Sequence, residues 1–223
     1  MFMTFGTPTS LNEIDIDPLS IKGLKEKFEI LIIDDNPPPM LETLKRSGFR
    51  VRDLQNIETI ETVEPYPIVA CDIQGIGTTL RPGDPNGGLH VLSEIRKYYP
   101  DKYLIQYSTK LQPIASSLNK ADVIFPKDTP IGVWQDTIEK TLKELGNPKK
   151  RWIKVRTRLS TEGLDAFKIL QLEQAYIKNI QNNNAEKIDN PKLLTNLSPE
   201  AKKLIINFAA TTLSMGIKEL MKP

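Results

Sequence analysis

From Phe28 onward the chain is punctuated by short apolar runs that stop on polar chemistry. FEILIIDD closes on Asp34 and Asp35, YPIVACD on Asp72, KYLIQYST on Ser108 and Thr109, and ADVIFPK on Lys127. Between these runs lie stretches whose apolar residues recur at helical spacing. Strands alternating with helices in this way build a parallel sheet covered on both faces. Strands are predicted near 28–34, 49–54, 67–72, 103–108 and 121–125. Helices are predicted near 37–47, 57–64, 88–98, 111–119 and 130–145. Asn36 suits an N-cap and Pro37 a first helical position, where a missing N–H costs nothing. The run IVAC is apolar on both faces, so the strand ending at Asp72 is expected to be central.

In an open parallel sheet the strand C-termini converge on one edge, where ligands bind. An acidic pair, a lone carboxylate, a hydroxyl and an ammonium are therefore expected in one cleft. Clustered carboxylates are unfavourable without a cation. Mg²⁺ meets that need, because it takes hard oxygen ligands and keeps several waters. The set has the composition of a metal-assisted phosphoryl acceptor. Taken singly, Asp34 or Asp35 reads equally well as a helix cap. The fold class implied is a flavodoxin-like, doubly wound, five-stranded parallel sheet with a small all-α C-terminal appendage.

Residues 28 to about 145 resemble the receiver domain of bacterial response regulators in two-component signalling. Asp34 and Asp35 match its acidic metal-binding pair, Asp72 its phosphoacceptor, Ser108 its hydroxyl residue (with Thr109 one position on as the alternative) and Lys127 its lysine. The string Gly88-Leu89-His90-Val91-Leu92-Ser93-Glu94-Ile95-Arg96 is similar to the helix that follows the acceptor. Lys120-Ala121-Asp122 is similar to the Gly-Ala-Asp that opens the last strand. The resemblance implies Mg²⁺ held by Asp34, Asp35, Asp72 and the backbone carbonyl of Gln74. It implies phosphorylation of Asp72 by a histidine kinase or phosphotransfer protein in a cytoplasmic phosphorelay, the chain itself being a phosphoacceptor signalling domain rather than a turnover enzyme.

The chain departs from the family's pattern in three places. Asp128 follows Lys127 where the family has Pro, and Pro126 precedes it. Ile124 occupies the position of the usual switch aromatic, leaving Tyr107 or Phe125 as substitutes. A long loop, residues 74–87, replaces the Met-Pro that follows the acceptor. These departures keep open a second reading, a receiver-like interaction module that signals without phosphate. Gly75-x-Gly77 lacks the spacing of a dinucleotide or P-loop motif and reads as a lid. Gln74 stands where a haloacid dehalogenase-type phosphatase has its second Asp, which argues against that chemistry.

The composition, 39% hydrophobic and 26% charged, is that of an ordinary globular protein, and a net charge of +2 gives no global signal for nucleic acid. One cysteine and one histidine exclude an internal disulfide framework and a Cys/His zinc site. Cys71 is expected to pack inertly and His90 to lie on a helix surface. The longest apolar stretch, Leu204 to Ile217, falls short of the roughly 20 residues a bilayer demands, so no membrane partner is expected.

Residues 1–22 read as an N-terminal arm, 23–146 as the receiver-like domain and 147–223 as a helical extension. In the extension Ser160-Thr161-Glu162-Gly163 marks a break, and Ser198-Pro199 starts a last helix. Lys149 to Arg158 carries six cations and no acid, which reads as a solvated helix face rather than a nucleic-acid patch. Trp152, Leu159, Phe167, Leu170, Tyr176, Phe208 and Leu213 are more apolar bulk than a short helical segment is expected to hide alone. A homodimer through this helical tail is the expected use of that surface.

Overall fold

The computed structural model describes residue 11 and residues 20–80, 82–84, 86–109, 120–182 and 191–214. They fall in two compact units, Leu19–Gly146 and Met1–Pro18 with Asn147–Pro223. The expected helix at 111–119 and nearly all of the arm's residues 1–19 lie outside the described residues.

In the first unit β1 (Glu29–Ile33), β2 (Arg50–Leu54), β3 (Ile68–Asp72), β4 (Tyr103–Ser108) and β5 (Val123–Pro126) pair in parallel in the order β2-β1-β3-β4-β5. This is the flavodoxin-like, doubly wound arrangement. Its helices are α1 (Ile21–Lys27), α2 (Leu41–Arg46), α3 (Gly87–Tyr98) and α4 (Ile131–Leu145). β3 is central, as expected, and all five of its residues are buried. Each large aliphatic side chain buried there contributes about 1.5–3 kcal/mol. The register aligns the strand ends: Ile33 pairs with Cys71, Asp72 with Tyr107, and Tyr107 with Phe125. Residues just past β1, at the end of β3 and just past β5 therefore arrive at one level.

Three local expectations are corrected. The first crossover helix begins at Leu41 with Met40 as its N-cap, so neither Asn36 nor Pro37 starts it. The cause is the run Pro37-Pro38-Pro39, because a residue that precedes proline is pushed out of the helical region. The helix expected at 57–64 is a 3-10 turn over Ile60–Val63. The end of the supposed arm contributes α1, capped by the Ser20 hydroxyl, which accepts from the Gly23 amide. Leu24 of α1 is buried, and Lys25 pairs with Glu139 of α4 at 2.8 Å.

The second unit contains α5 (Pro148–Thr161), α6 (Ala166–Asn182), α7 (Pro191–Leu194) and α8 (Pro199–Ser214). Asn147 caps α5 through the Lys149 and Lys150 amides, and Ser198 caps α8 through the Ala201 amide. Its core is aromatic: Trp152 stacks on Tyr176 with centroids 5.4 Å apart, and both lean on Phe208. Trp152, Leu159, Tyr176 and Phe208 are thus hidden within their own unit, while Phe167 and Leu170 are 68% and 51% exposed. The side chain of Leu213 lies outside the described residues.

The basic run is not wholly a solvated face. Arg151 is 1% exposed, with its guanidinium 5.3 Å from the Phe208 ring. Helical spacing accounts for this, since Arg151 lies on the same side of α5 as buried Val155 and Leu159. No helix among the described residues is long and apolar enough to cross a membrane.

Candidate functional site

The C-terminal edge of the sheet gathers the residues singled out in the sequence. Asp34, Asp35 and Asp72 each offer a carboxylate oxygen within 4.8 Å of the others. Asp34 and Asp72 are buried, whereas Asp35 is exposed. Lys127 reaches in from just past β5. Its Nζ lies 3.1 Å from Oδ2 of Asp34 and 2.6 Å from Oδ2 of Asp72, so one ammonium bridges two carboxylates. Burial pulls the Lys127 pKa down, but hydrogen bonds and charge attraction from Asp72 and Asp34 outweigh it, and the net shift is upward.

Backbone and neighbouring side chains fix each acid. The Ile73 amide donates to Oδ1 of Asp72 at 2.7 Å. Asn36, freed from helix capping, donates its backbone N–H to Oδ1 of Asp34 at 3.0 Å and its side-chain amide to Oδ1 of Asp35 at 2.9 Å. Gly75 has φ +77°, and a Cβ built there would collide with the Asp35 carboxylate. The loop after the acceptor therefore lies directly against the exposed acid.

Ser108 is buried at the last position of β4, and its carbonyl accepts the Lys127 amide at 3.1 Å. Thr109 is exposed one step beyond the strand. Among the two hydroxyl residues, Ser108 is the one built into the sheet edge. Gln74 is half-buried at the start of the loop.

Tyr107 has a part in the site that the sequence reading missed. Its hydroxyl donates to Oδ2 of Asp34 at 2.9 Å, and its ring meets Trp134 of α4 edge-on at 5.6 Å. Phe125 packs on the same indole at 4.8 Å. Burial first, then the charge and hydrogen bond of Asp34, push the Tyr107 pKa far above its ordinary value. The signal was available: a tyrosine one residue before Ser108 must sit level with Asp72 in a parallel register. Cys71, on the buried strand beside Asp72, is a free thiol raised well above its usual pKa, by burial first and then by Asp72 and Asp34.

The donor set fits a hard divalent cation. Three carboxylates converge, two of them fixed by backbone amides and one exposed, which is the oxygen chemistry that Mg²⁺ selects.

No protein-family model matches the chain, and no curated protein matches it in sequence. Many of the solved structures similar to it are response regulator receiver domains. A response regulator from Thermotoga maritima is 17% identical, with 52% of this chain and 98% of that one covered and a TM-score of 0.41. The receiver domain of NtrX from Brucella abortus is 19% identical over 51% and 97% of the two chains, at 0.42. TrrA from Thermotoga maritima, solved in complex with Mg²⁺ and BeF, is 25% identical over 51% and 98%, at 0.39.

Proposed function

We propose that the α/β unit is a phosphoacceptor receiver of the response-regulator type and that Asp72 carries the phosphoryl group. The observation that supports this best is the double bridge of Lys127, with Nζ on both Asp34 and Asp72 beside the third acid, Asp35. A lysine in that place holds the acceptor carboxylate oriented before a donor arrives.

A carboxylate oxygen of Asp72 attacks the donor's phosphorus. The new O–P bond forms as the bond to the donor's imidazole nitrogen, or to the acetate oxygen of acetyl phosphate, breaks. The bonding pair leaves with the donor group, and the product is an acyl phosphate. Lys127 then exchanges its contact with Asp72 for one with a phosphoryl oxygen, acting as a compact cation. Ser108 supplies a hydroxyl to the modified group. Mg²⁺ held by Asp34, Asp35, Asp72 and the Gln74 carbonyl would neutralise charge on the phosphoryl oxygens. The matching donor is a histidine kinase or phosphotransfer protein, in a cytoplasmic phosphorelay. The helical unit serves docking through the exposed Phe167 and Leu170 of α6, with a second copy of the chain as the partner.

The test is treatment with acetyl phosphate, or with beryllofluoride, in the presence of Mg²⁺. With acetyl phosphate, intact mass should rise by one phosphoryl group in the wild type and not in Asp72→Asn; beryllofluoride is read by the spectrum alone. Trp134 gives an optical readout through Tyr107, once Trp152→Phe removes the other indole. An unchanged mass and spectrum in the wild type would replace this reading with the module that signals without phosphate. Labelling that survives Asp72→Asn would move the acceptor elsewhere.

A further inference from the structure

The loop that follows Asp72 has few of its own means of holding shape. Gly75 and Gly77 take left-handed φ values of +77° and +73°, and Thr78 and Thr79 are exposed. Its inner residues Ile73 and Ile76 are buried in the core beside Val91 of α3. The side chain of Asn56, two residues past the end of β2, bonds to this loop.

Asn56 uses both ends of its amide. Oδ1 accepts from the Gly77 backbone N–H and from its neighbour Ile57's N–H, each at 2.9 Å. Nδ2 donates to the Thr78 hydroxyl at 2.9 Å and the Thr79 hydroxyl at 3.3 Å. Ile57 is itself buried, so the amide is anchored to the core behind it. The far side of the loop is equally constrained. A Cβ on Gly77 would approach the Gly87 carbonyl oxygen to 2.8 Å, and one on Gly75 would strike Asp35. Two glycines thus press the loop against α3 and Asp35, and Asn56 closes it from the third side.

We infer that Asn56 is a positioning residue for the metal site, holding the 73–79 loop against Asp35 and so fixing the third carboxylate. This rests on the phosphoacceptor reading above. Asp35 is exposed and accepts from the Asn36 side-chain amide, and the backbone at Gly75 limits its rotation. The same loop carries Gln74. Loosening the clasp leaves Asp34 and Asp72 in place, because the Asn36 and Ile73 amides and Lys127 hold them. It removes preorganisation from the remaining ligands only.

The probe is Mg²⁺ alone, titrated by Trp134 fluorescence in the Trp152→Phe background and by thermal shift on the full chain. Asn56→Ala should weaken Mg²⁺ binding about tenfold, as expected for a residue that orients metal ligands from outside. Amide exchange at Gly77 should accelerate in the same variant. The control is Ile95→Val, in the core of the same unit, which should lower stability without moving the Mg²⁺ affinity. Unchanged Mg²⁺ affinity in Asn56→Ala, or an equal loss in Ile95→Val, would overturn the inference while leaving the phosphoacceptor reading intact. A wild-type chain with no Mg²⁺ response would remove both.

Discussion

Tyr107 and Asp34 are joined by a 2.9 Å hydrogen bond between side chains 73 residues apart, one from the end of β4 and the other just past β1. The bond spans β3 and places a neutral donor beside the Lys127 ammonium on the same Asp34 oxygen. Asp34 is therefore committed on both oxygens, to Asn36 on one side and to Tyr107 and Lys127 on the other. Asp72 keeps Lys127 and the Ile73 amide. The exposed Asp35 has the Asn36 side-chain amide and lies against Gly75 of the loop.

This arrangement fixes the sign of an alkaline effect. Tyr107 and Cys71 have folded-state pKa values above their ordinary values of 10.0 and 9.0, with burial the largest cause in each. Lys127 is raised too, burial opposing and Asp72 and Asp34 prevailing. In all three the folded state holds its proton more tightly than the unfolded state. Their contribution is then fully present below the unfolded values and is lost as pH rises, from about pH 9 upward. Denaturant melts should show stability falling along that limb, with Tyr107→Phe flattening it. Tyr107→Phe should itself cost about 1.5 kcal/mol at neutral pH, as for a hydrogen bond to a charged group. A limb that is identical in the variant would mean that Tyr107 ionises without constraint.

Lys127 separates a structural role from a chemical one. Lys127→Met leaves three carboxylates within 4.8 Å without their ammonium. The lysine side chain is 22% exposed, so solvent tempers the loss, and a cost of about 2 kcal/mol is expected. Mg²⁺ should restore much of it, since a cation replaces a cation, and the thermal shift on adding Mg²⁺ should be larger than in the wild type. Phosphorylation should still fall. A Mg²⁺ shift that vanishes in Lys127→Met would contradict the role given to the three acids.

Asp35→Asn makes the complementary change. It removes the exposed ligand and relieves repulsion among the acids, so the metal-free chain should melt slightly higher. The Mg²⁺-dependent shift should disappear; at a hundredfold excess over the dissociation constant it amounts to about 2.7 kcal/mol in the intact site. Paired melting curves with and without Mg²⁺ read both effects at once. A variant that keeps the wild-type shift would remove Asp35 from the ligand set.

Much of the sheet was legible in the sequence because each strand is a short apolar run with a polar stop. The parallel rule alone then brought Asp34, Asp35, Asp72 and Lys127 to one edge. What escaped depended on context. The three prolines after Asn36 looked like a helix start, yet successive prolines exclude the helical conformation from the residues before them. Asn36 consequently serves the acids instead of a helix. Arg151 looked like one cation among six, and only the packing of Phe208 shows it buried. Asn56 carries no sequence signal, because its partners Gly77, Thr78 and Thr79 lie across a loop whose path is set by tertiary contacts.

The helical unit sorts its aromatic residues into two classes with different expected behaviour. Trp152 is 1% exposed, stacks on Tyr176 and donates its indole N–H to Glu173 at 2.7 Å. Trp152→Ala opens a cavity in that core and should cost about 3–5 kcal/mol. Phe167 and Leu170, three residues apart on α6, are mostly in water and should cost little stability when replaced by Ser. If they mediate self-association, light scattering should find the full chain dimeric and the double variant Phe167→Ser with Leu170→Ser monomeric at the same concentration. Both should melt alike once dissociated by dilution. A wild type that is monomeric at high concentration would end the dimer proposal and leave the exposed α6 residues to a different partner.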